Sequence, residues 1–374
     1  MYRFGATGAL AALFGLSGCG QFFVPENNDS GGGTTGTARV YVANSTTGTL
    51  AAFTVGTNAL SAVSGSPFSL GYAPLDAVVT PSNSFVYVAG PDAIYAYAIA
   101  SDGTISSASG GSGGAAVAVA TVASLAVSPD GQWLFGLDST STTLDEYQIN
   151  TSTGALTAVG TIPYTVSSGT PTPRMVRVSP LGNLIFAAVG SGGDIVFTLN
   201  TSSGAVVNSQ TLTLSSTQTS DNALAINSTG AYLYIARSGT NGGVAVYTIG
   251  TNGALSAISG SPFAAGSLPS GLVIDSTGKY LYAANRTDGT ISGYTIGTGS
   301  ALTALAGSPF TAGTEVLSLA LDSSGDYLLA GSYGGSPDLS MYSFDTTTLG
   351  KLNLATSAAT DTDPAGVIAV AATH

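Results

Sequence analysis

Few residues in this sequence could do chemistry, and most of them are arginines and carboxylates. Its 374 residues include one histidine, the final His374, one cysteine, Cys19, and two lysines, Lys279 and Lys351. Proton transfer near neutral pH rests most often on a histidine, and a serine nucleophile needs a base beside it. The chain offers no evident base for either role. It has no Cys/His cluster for zinc, and the acid-rich residues 138–146 lack the alternate-residue spacing of a calcium loop. No metal and no cofactor are therefore expected. What remains is anion recognition. Arg174, Arg237 and Arg286 could each grip a carboxylate or phosphate with paired N–H donors, which a lysine's point charge cannot match. Asp76, Asp138 and Glu315 would form a negative sector beside them.

The elements that must position these groups are read from a repeat. In residues 271–310, Leu272-Val273-Ile274 forms a short apolar strand and residues 275–278 a turn. Residues 280–284 form a second strand. Asp288-Gly289 makes a hairpin, because Asp-Gly tolerates the positive φ angles of a tight turn. Residues 291–296 form a third strand, and residues 301–306 a weaker fourth that runs into Gly307-Ser308-Pro309-Phe310. Aligning the turn after each first strand gives Pro81, Pro129, Pro180, Ser228, Ser276 and Ser323, at steps of 48, 51, 48, 48 and 47 residues. Four strands per unit at this period predict an all-β propeller, not a helical solenoid. The second strands, such as residues 85–89 and 184–188, are apolar on both faces, as a sheet packed between two other sheets requires.

Six units are complete. Arg39-Val40-Tyr41-Val42-Ala43-Asn44 reads as a second strand with no first strand before it, and Gly366-Val367-Ile368-Ala369-Val370 reads as a first strand at the other end of the chain. Pairing the two closes a ring of seven blades over residues 38–374 and leaves no open sheet edge around the circle. In each blade the first strand starts, and the second ends, at the same face of the disc. Arg174 precedes a first strand in blade 4. Arg237 and Arg286 end second strands in blades 5 and 6. These arginines should therefore meet at one face, with Asp76, Asp138 and Glu315 from blades 2, 3 and 7.

The N-terminus predicts the compartment. Arg3 precedes the apolar residues 4–16, too short a run to span a bilayer, and Leu16-Ser17-Gly18-Cys19 follows. This resembles a bacterial lipoprotein signal. The resemblance implies a signal peptide over residues 1–18, a lipid on Cys19, a Gly-rich tether over residues 19–37 and a place in the cell envelope, held to the membrane. Charged residues are only 7% of the chain and the net charge is −12. Nucleic acid is not an expected partner, since clustered Lys and Arg are missing. The expected partners are a small anionic or sugar ligand or another envelope protein, and the expected state is a monomer.

Tyr41-Val42-Ala43-Asn44, Tyr282-Ala283-Ala284-Asn285 and the turn Ser128-Pro129-Asp130-Gly131 resemble repeats of the seven-bladed propeller lactonase superfamily. That group includes 6-phosphogluconolactonases and Tyr-Val-Thr-Asn repeat propellers. Pro173-Arg174-Met175 is similar to the family's Pro-Arg-His segment, and Asn285-Arg286 to its Ser-Asn-Arg segment. The resemblance implies hydrolysis of sugar lactones. Its histidine slots, however, hold Ser124 and Met175, and the position where the family often carries glutamate is Gly190. With those groups lost, the expected role is binding at the channel mouth without catalysis, and the alternative is a lactonase-like hydrolase.

Overall fold

The structure is a computed structural model that describes residues 37–108 and 115–374. The expected signal peptide, Cys19 and all but the last tether residue lie outside the described residues. Among those described, the strands form seven antiparallel sheets arranged as a β-propeller. Blade 4 shows the plan: Met175–Val178 lines the axis, and Leu184–Ala188, Asp194–Leu199 and Val206–Leu212 follow outward. The ring closes as expected, with Val367–Ala372 pairing antiparallel to Arg39–Asn44 as the inner strand of blade 1. Second strands such as Phe85–Ala89 and Leu184–Ala188 are buried along their whole length, because each sheet is covered on both faces.

One side-chain device repeats in every blade. The residue just past each inner strand carries an oxygen that accepts the N–H of the first residue of the second strand. It is Thr80 for Phe85, Ser128 for Trp133, Ser179 for Leu184 and Asn227 for Tyr232. Asp275 serves Tyr280, and Asp322 serves Tyr327. The same oxygen also meets turn N–H groups that the strand ladder leaves open, as when Asp275 accepts from Lys279 N at 2.8 Å. In blade 1 the role falls to Thr373, which accepts Arg39 N at 2.9 Å although 334 residues separate them.

A second device staples neighbouring blades. Tyrosine hydroxyls of the second strands reach carbonyls in the next blade: Tyr41 to Gly103, Tyr87 to Gly154 and Tyr282 to Gly350, at 2.9, 2.9 and 2.6 Å. A buried phenol needs such a partner. The weak fourth strand expected over residues 301–306 is in fact two pieces, Leu302–Ala304 and Phe310–Thr311, paired to opposite ends of the third strand. The Gly-Ser-Pro-Phe turn breaks it, and Ser308 Oγ takes the Gly293 N–H at 2.9 Å. The same turn recurs in blades 1 and 5, where Ser66 and Ser261 serve Ala52 and Val246. No helix among the described residues is long and apolar enough to cross a membrane.

Candidate functional site

The inner strands surround an axial cavity of about 730 Å³. Each of these strands belongs to its own sheet, and side chains join one to the next. Asp76 Oδ2 accepts Leu125 N at 2.8 Å, Ser124 Oγ accepts Val176 N at 3.2 Å and Met175 Sδ faces Leu224 N at 3.2 Å. Asn222 donates to Pro269 O at 2.9 Å and Ser270 to Val316 O at 3.1 Å, while Ser318 accepts Val370 N at 3.1 Å. Ser124 and Met175, which stand in the family's histidine slots, thus serve as junction acceptors. Gly190 has φ +62°, bonds through its N–H to Asp221 O at 3.2 Å, and would bring a β-carbon to 2.9 Å of Thr172. A larger residue there would strain the turn.

The charged groups of the cavity wall are Asp76, Arg174, Arg177, Arg286 and His374. Arg174 stands exposed at the mouth where inner strands begin, and among the described residues no carboxylate or carbonyl partners its guanidinium. Arg177 lies deeper, on the strand Met175–Val178, and its guanidinium bonds only Val176 O at 3.0 Å. Burial lowers its pKa and the Asp76 charge opposes this. Asp76 itself is raised by burial, against the N–H of Leu125, the charge of Arg177, the N–H of Ala77 and the hydroxyl of Ser124. The cavity is therefore a cationic pocket inside a protein of net charge −12.

Three of the expected ligand groups are placed elsewhere. Arg237 is 3% exposed and is withdrawn from the mouth: Nε and Nη2 meet Asp221 at 2.6 and 2.7 Å, and Asp194 lies 3.6 Å away. Burial raises the Asp194 carboxyl strongly, and Asp221 adds to the effect. Asp138 folds back onto its own turn, accepting Thr140 N and Ser141 N at 2.6 Å each. Burial works to raise its pKa, but these bonds outweigh it and the result is lowered. Glu315 is outside the cavity wall and pairs with Arg286 at 2.7 Å, with Tyr333 beneath the guanidinium. Strand direction assigns a residue to a face of the disc but not to the radius at which its side chain sits.

Sequence reasoning missed Arg177 and His374 as wall residues. Arg177 had a legible signal, since it lies two residues from Met175 on an inner strand, with Val176 between them buried in the inter-blade core. His374 had none short of ring closure. Its ring nitrogen lies 3.3 Å from Val79 O at the opposite mouth, and Asn83 brackets its backbone with two bonds of 2.8 Å. Loss of water around the ring against the channel wall lowers its pKa, and the bond to the Val79 carbonyl opposes this.

Residues 232–368 match the family described as Lactonase, 7-bladed beta-propeller. No curated protein matches the chain. Among solved structures it is similar to a protein of Bacteroides fragilis provisionally assigned as a 6-phosphogluconolactonase. That pair has a TM-score of 0.75 and 17% identity over 92% of this chain and 100% of the other. A similarly assigned protein of Bacteroides uniformis gives 0.74 and 17% over 90% and 99%. The periplasmic gluconolactonase of Pseudomonas aeruginosa gives 0.68 and 15% over 90% and 99%. At these identities the likeness speaks for the fold, which agrees with the sheets described above.

Proposed function

We propose that this propeller is a cell-envelope binding protein that takes a small organic anion, a sugar acid or sugar phosphate, into the Arg174 mouth of its channel. One observation carries the reading. Arg177 is a half-buried guanidinium facing the axial cavity, with a single carbonyl as its hydrogen-bond partner. A cation held out of bulk water without a paired carboxylate gains from any anion that reaches it. Arg174, one strand-turn above, supplies a second fork. Binding without chemistry is favoured because Ser124 and Met175 are committed to the blade junctions. The signal-like N-terminus and Cys19 support a lipid-held place in the envelope.

Hydrolysis of a sugar lactone is the second reading. It is favoured by Asp76, whose raised carboxyl shares the cavity with Arg177 and could move a proton where the family uses other groups. Calorimetric titration with gluconate and 6-phosphogluconate at low salt tests the binding reading. The Arg174→Ala, Arg177→Met double variant should bind at least about tenfold more weakly, since charge-assisted contacts are worth about 1.5–3 kcal/mol each. Equal affinity in both proteins overturns the proposal. Turnover of 6-phosphogluconolactone above its spontaneous rate, lost in Asp76→Asn, would replace binding by catalysis.

A further inference from the structure

The inner strand of each blade has no strand on its channel side, so alternate N–H groups along it must find partners elsewhere. One such group belongs to the residue three places before the turn acceptor. In five blades a side chain takes it: Asp76 accepts Ala77 N and Leu125 N, Ser124 accepts Val176 N, Met175 Sδ faces Leu224 N and Ser318 accepts Val370 N. Blades 6 and 7 differ. Asp275 N donates to Tyr280 O and Asp322 N to Tyr327 O, in register with Leu272↔Ala283 and Leu319↔Ala330, so the alternation turns Leu272 N and Leu319 N away from the ladder. The positions that supply the acceptor in other blades hold Ala223 and Gly271, which have none to give. Among the described residues neither N–H has an acceptor.

Gly271, Leu272 and Leu319 all line the axial cavity. A β-carbon at Gly271 would stand 3.4 Å from Leu319 N and 2.8 Å from Leu317 O, so glycine keeps that donor uncovered. The depth matches that of the buried cation. Arg177 lies two residues before its turn acceptor Ser179, and Leu272 and Leu319 lie three before Asp275 and Asp322. The two donors are therefore within one residue, about 3.4 Å, of the level of Arg177, two and three blades further round the ring. Both of their strands are entered through a residue in the left-handed region, Leu268 at φ +52° and Glu315 at φ +54°. Side chains of this size rarely hold such a backbone, and strain of that kind gathers at ligand sites. A backbone N–H set against a cavity without a protein acceptor has its bond to give to whatever enters.

We propose that the N–H groups of Leu272 and Leu319 form a second end of the ligand site, and that the anion it takes carries a carboxylate at each end. One carboxylate meets the guanidinium forks of Arg174 and Arg177, and the other accepts the two N–H groups of blades 6 and 7. A carboxylate offers two oxygens to two donors, and bonds to a charged acceptor outweigh those to a neutral hydroxyl. The inference rests on the channel reading proposed above and restricts it to diacids.

Gluconate has one carboxylate, and glucarate, built on the same carbon chain, has one at each end. Both are titrated into the full chain by calorimetry at low salt. Wild type should bind glucarate at least about tenfold more tightly than gluconate. Ala223→Ser puts an acceptor where Ser124 and Ser318 carry theirs, so it should close Leu272 N without lowering Tm. It should cut the glucarate advantage by about threefold or more and leave gluconate within about twofold. The Arg174→Ala, Arg177→Met variant should weaken both acids. Gluconate binding that needs the arginines, with glucarate no tighter in wild type, overturns the second end and leaves the channel reading standing. A glucarate advantage that folded Ala223→Ser keeps whole does the same. Should that variant not fold, the wild-type comparison alone decides. Binding of neither acid overturns both readings.

Discussion

Glu146 gives the propeller a pH dependence that can be worked out in advance. It lies on the third strand of blade 3, Thr143–Ile149, opposite Phe135, at 3% exposure, and its Oε1 has no partner. Burial pushes its pKa up to about 7 from the ordinary 4.5. A carboxyl raised by folding contributes stability that is full below its unfolded pKa and is lost as pH rises through the folded value. The window is therefore pH 4.5 to 7. The gap of about 2.5 pH units is worth at most about 3 kcal/mol. With an unfolding entropy of about 2 cal/mol/K per residue, that is a fall in Tm of roughly 4–5 °C across the window for a propeller of this size. Asp145, raised to about 6 by burial and by the charge of Asp138, pushes the same way.

Glu146→Gln keeps the shape and removes the charge. Scanning calorimetry from pH 4.5 to 8.5 should show the variant and wild type diverging as pH rises, with the variant the more stable above pH 7. The difference at pH 4.5 measures whatever the new amide contributes by itself. Parallel curves across the whole range would refute the reasoning, because they would mean that Glu146 ionises in the fold as freely as in the unfolded chain.

Two further outcomes follow from the architecture and the N-terminus. Deleting residues 366–374 removes the inner strand of blade 1 and the Thr373 cap on Arg39, so the whole propeller should melt at lower temperature in one transition; an unchanged Tm would refute closure by the tail. Cys19→Ala should abolish lipid labelling and release the protein from membranes in fractionation, and labelling that persists would remove the anchor from the proposal.

Much of the fold could be read because its determinants are local and repeated. The residues at 80, 128, 179, 227, 275 and 322 recur at the blade period and all carry an acceptor oxygen for the strand that starts five residues later. Gly-Ser-Pro-Phe at 65–68, 260–263 and 307–310 marks where the outer strand must break, although only the structure shows the serine replacing the lost partner. Ring closure was legible because a strand missing at one end reappears at the other. The site was legible only to the level of a face. Arg174 and Arg237 leave the same side of the disc, yet one is exposed at the channel and the other buried beside Asp221. Which occurs depends on what the neighbouring blade presents, and that is a contact between residues far apart in the chain.

The allocation of cations then argues for the channel. The described domain has five arginines. Arg39 bonds carbonyls of Thr37 and Ser101, Arg237 balances two buried aspartates, and Arg286 meets Glu315. The two left without a carboxylate, Arg174 and Arg177, come from one strand and its lead-in, and both face the cavity. Asp76 offsets part of the Arg177 charge, but neither guanidinium has a carboxylate within ion-pair distance. The proposed anion would supply that partner. Because the protein as a whole is acidic, its long-range field does not draw that anion in; beyond about 8–10 Å ordinary salt screens the field in any case. On that proposal, affinity comes from contact within the channel, through forked hydrogen bonds to the guanidinium groups.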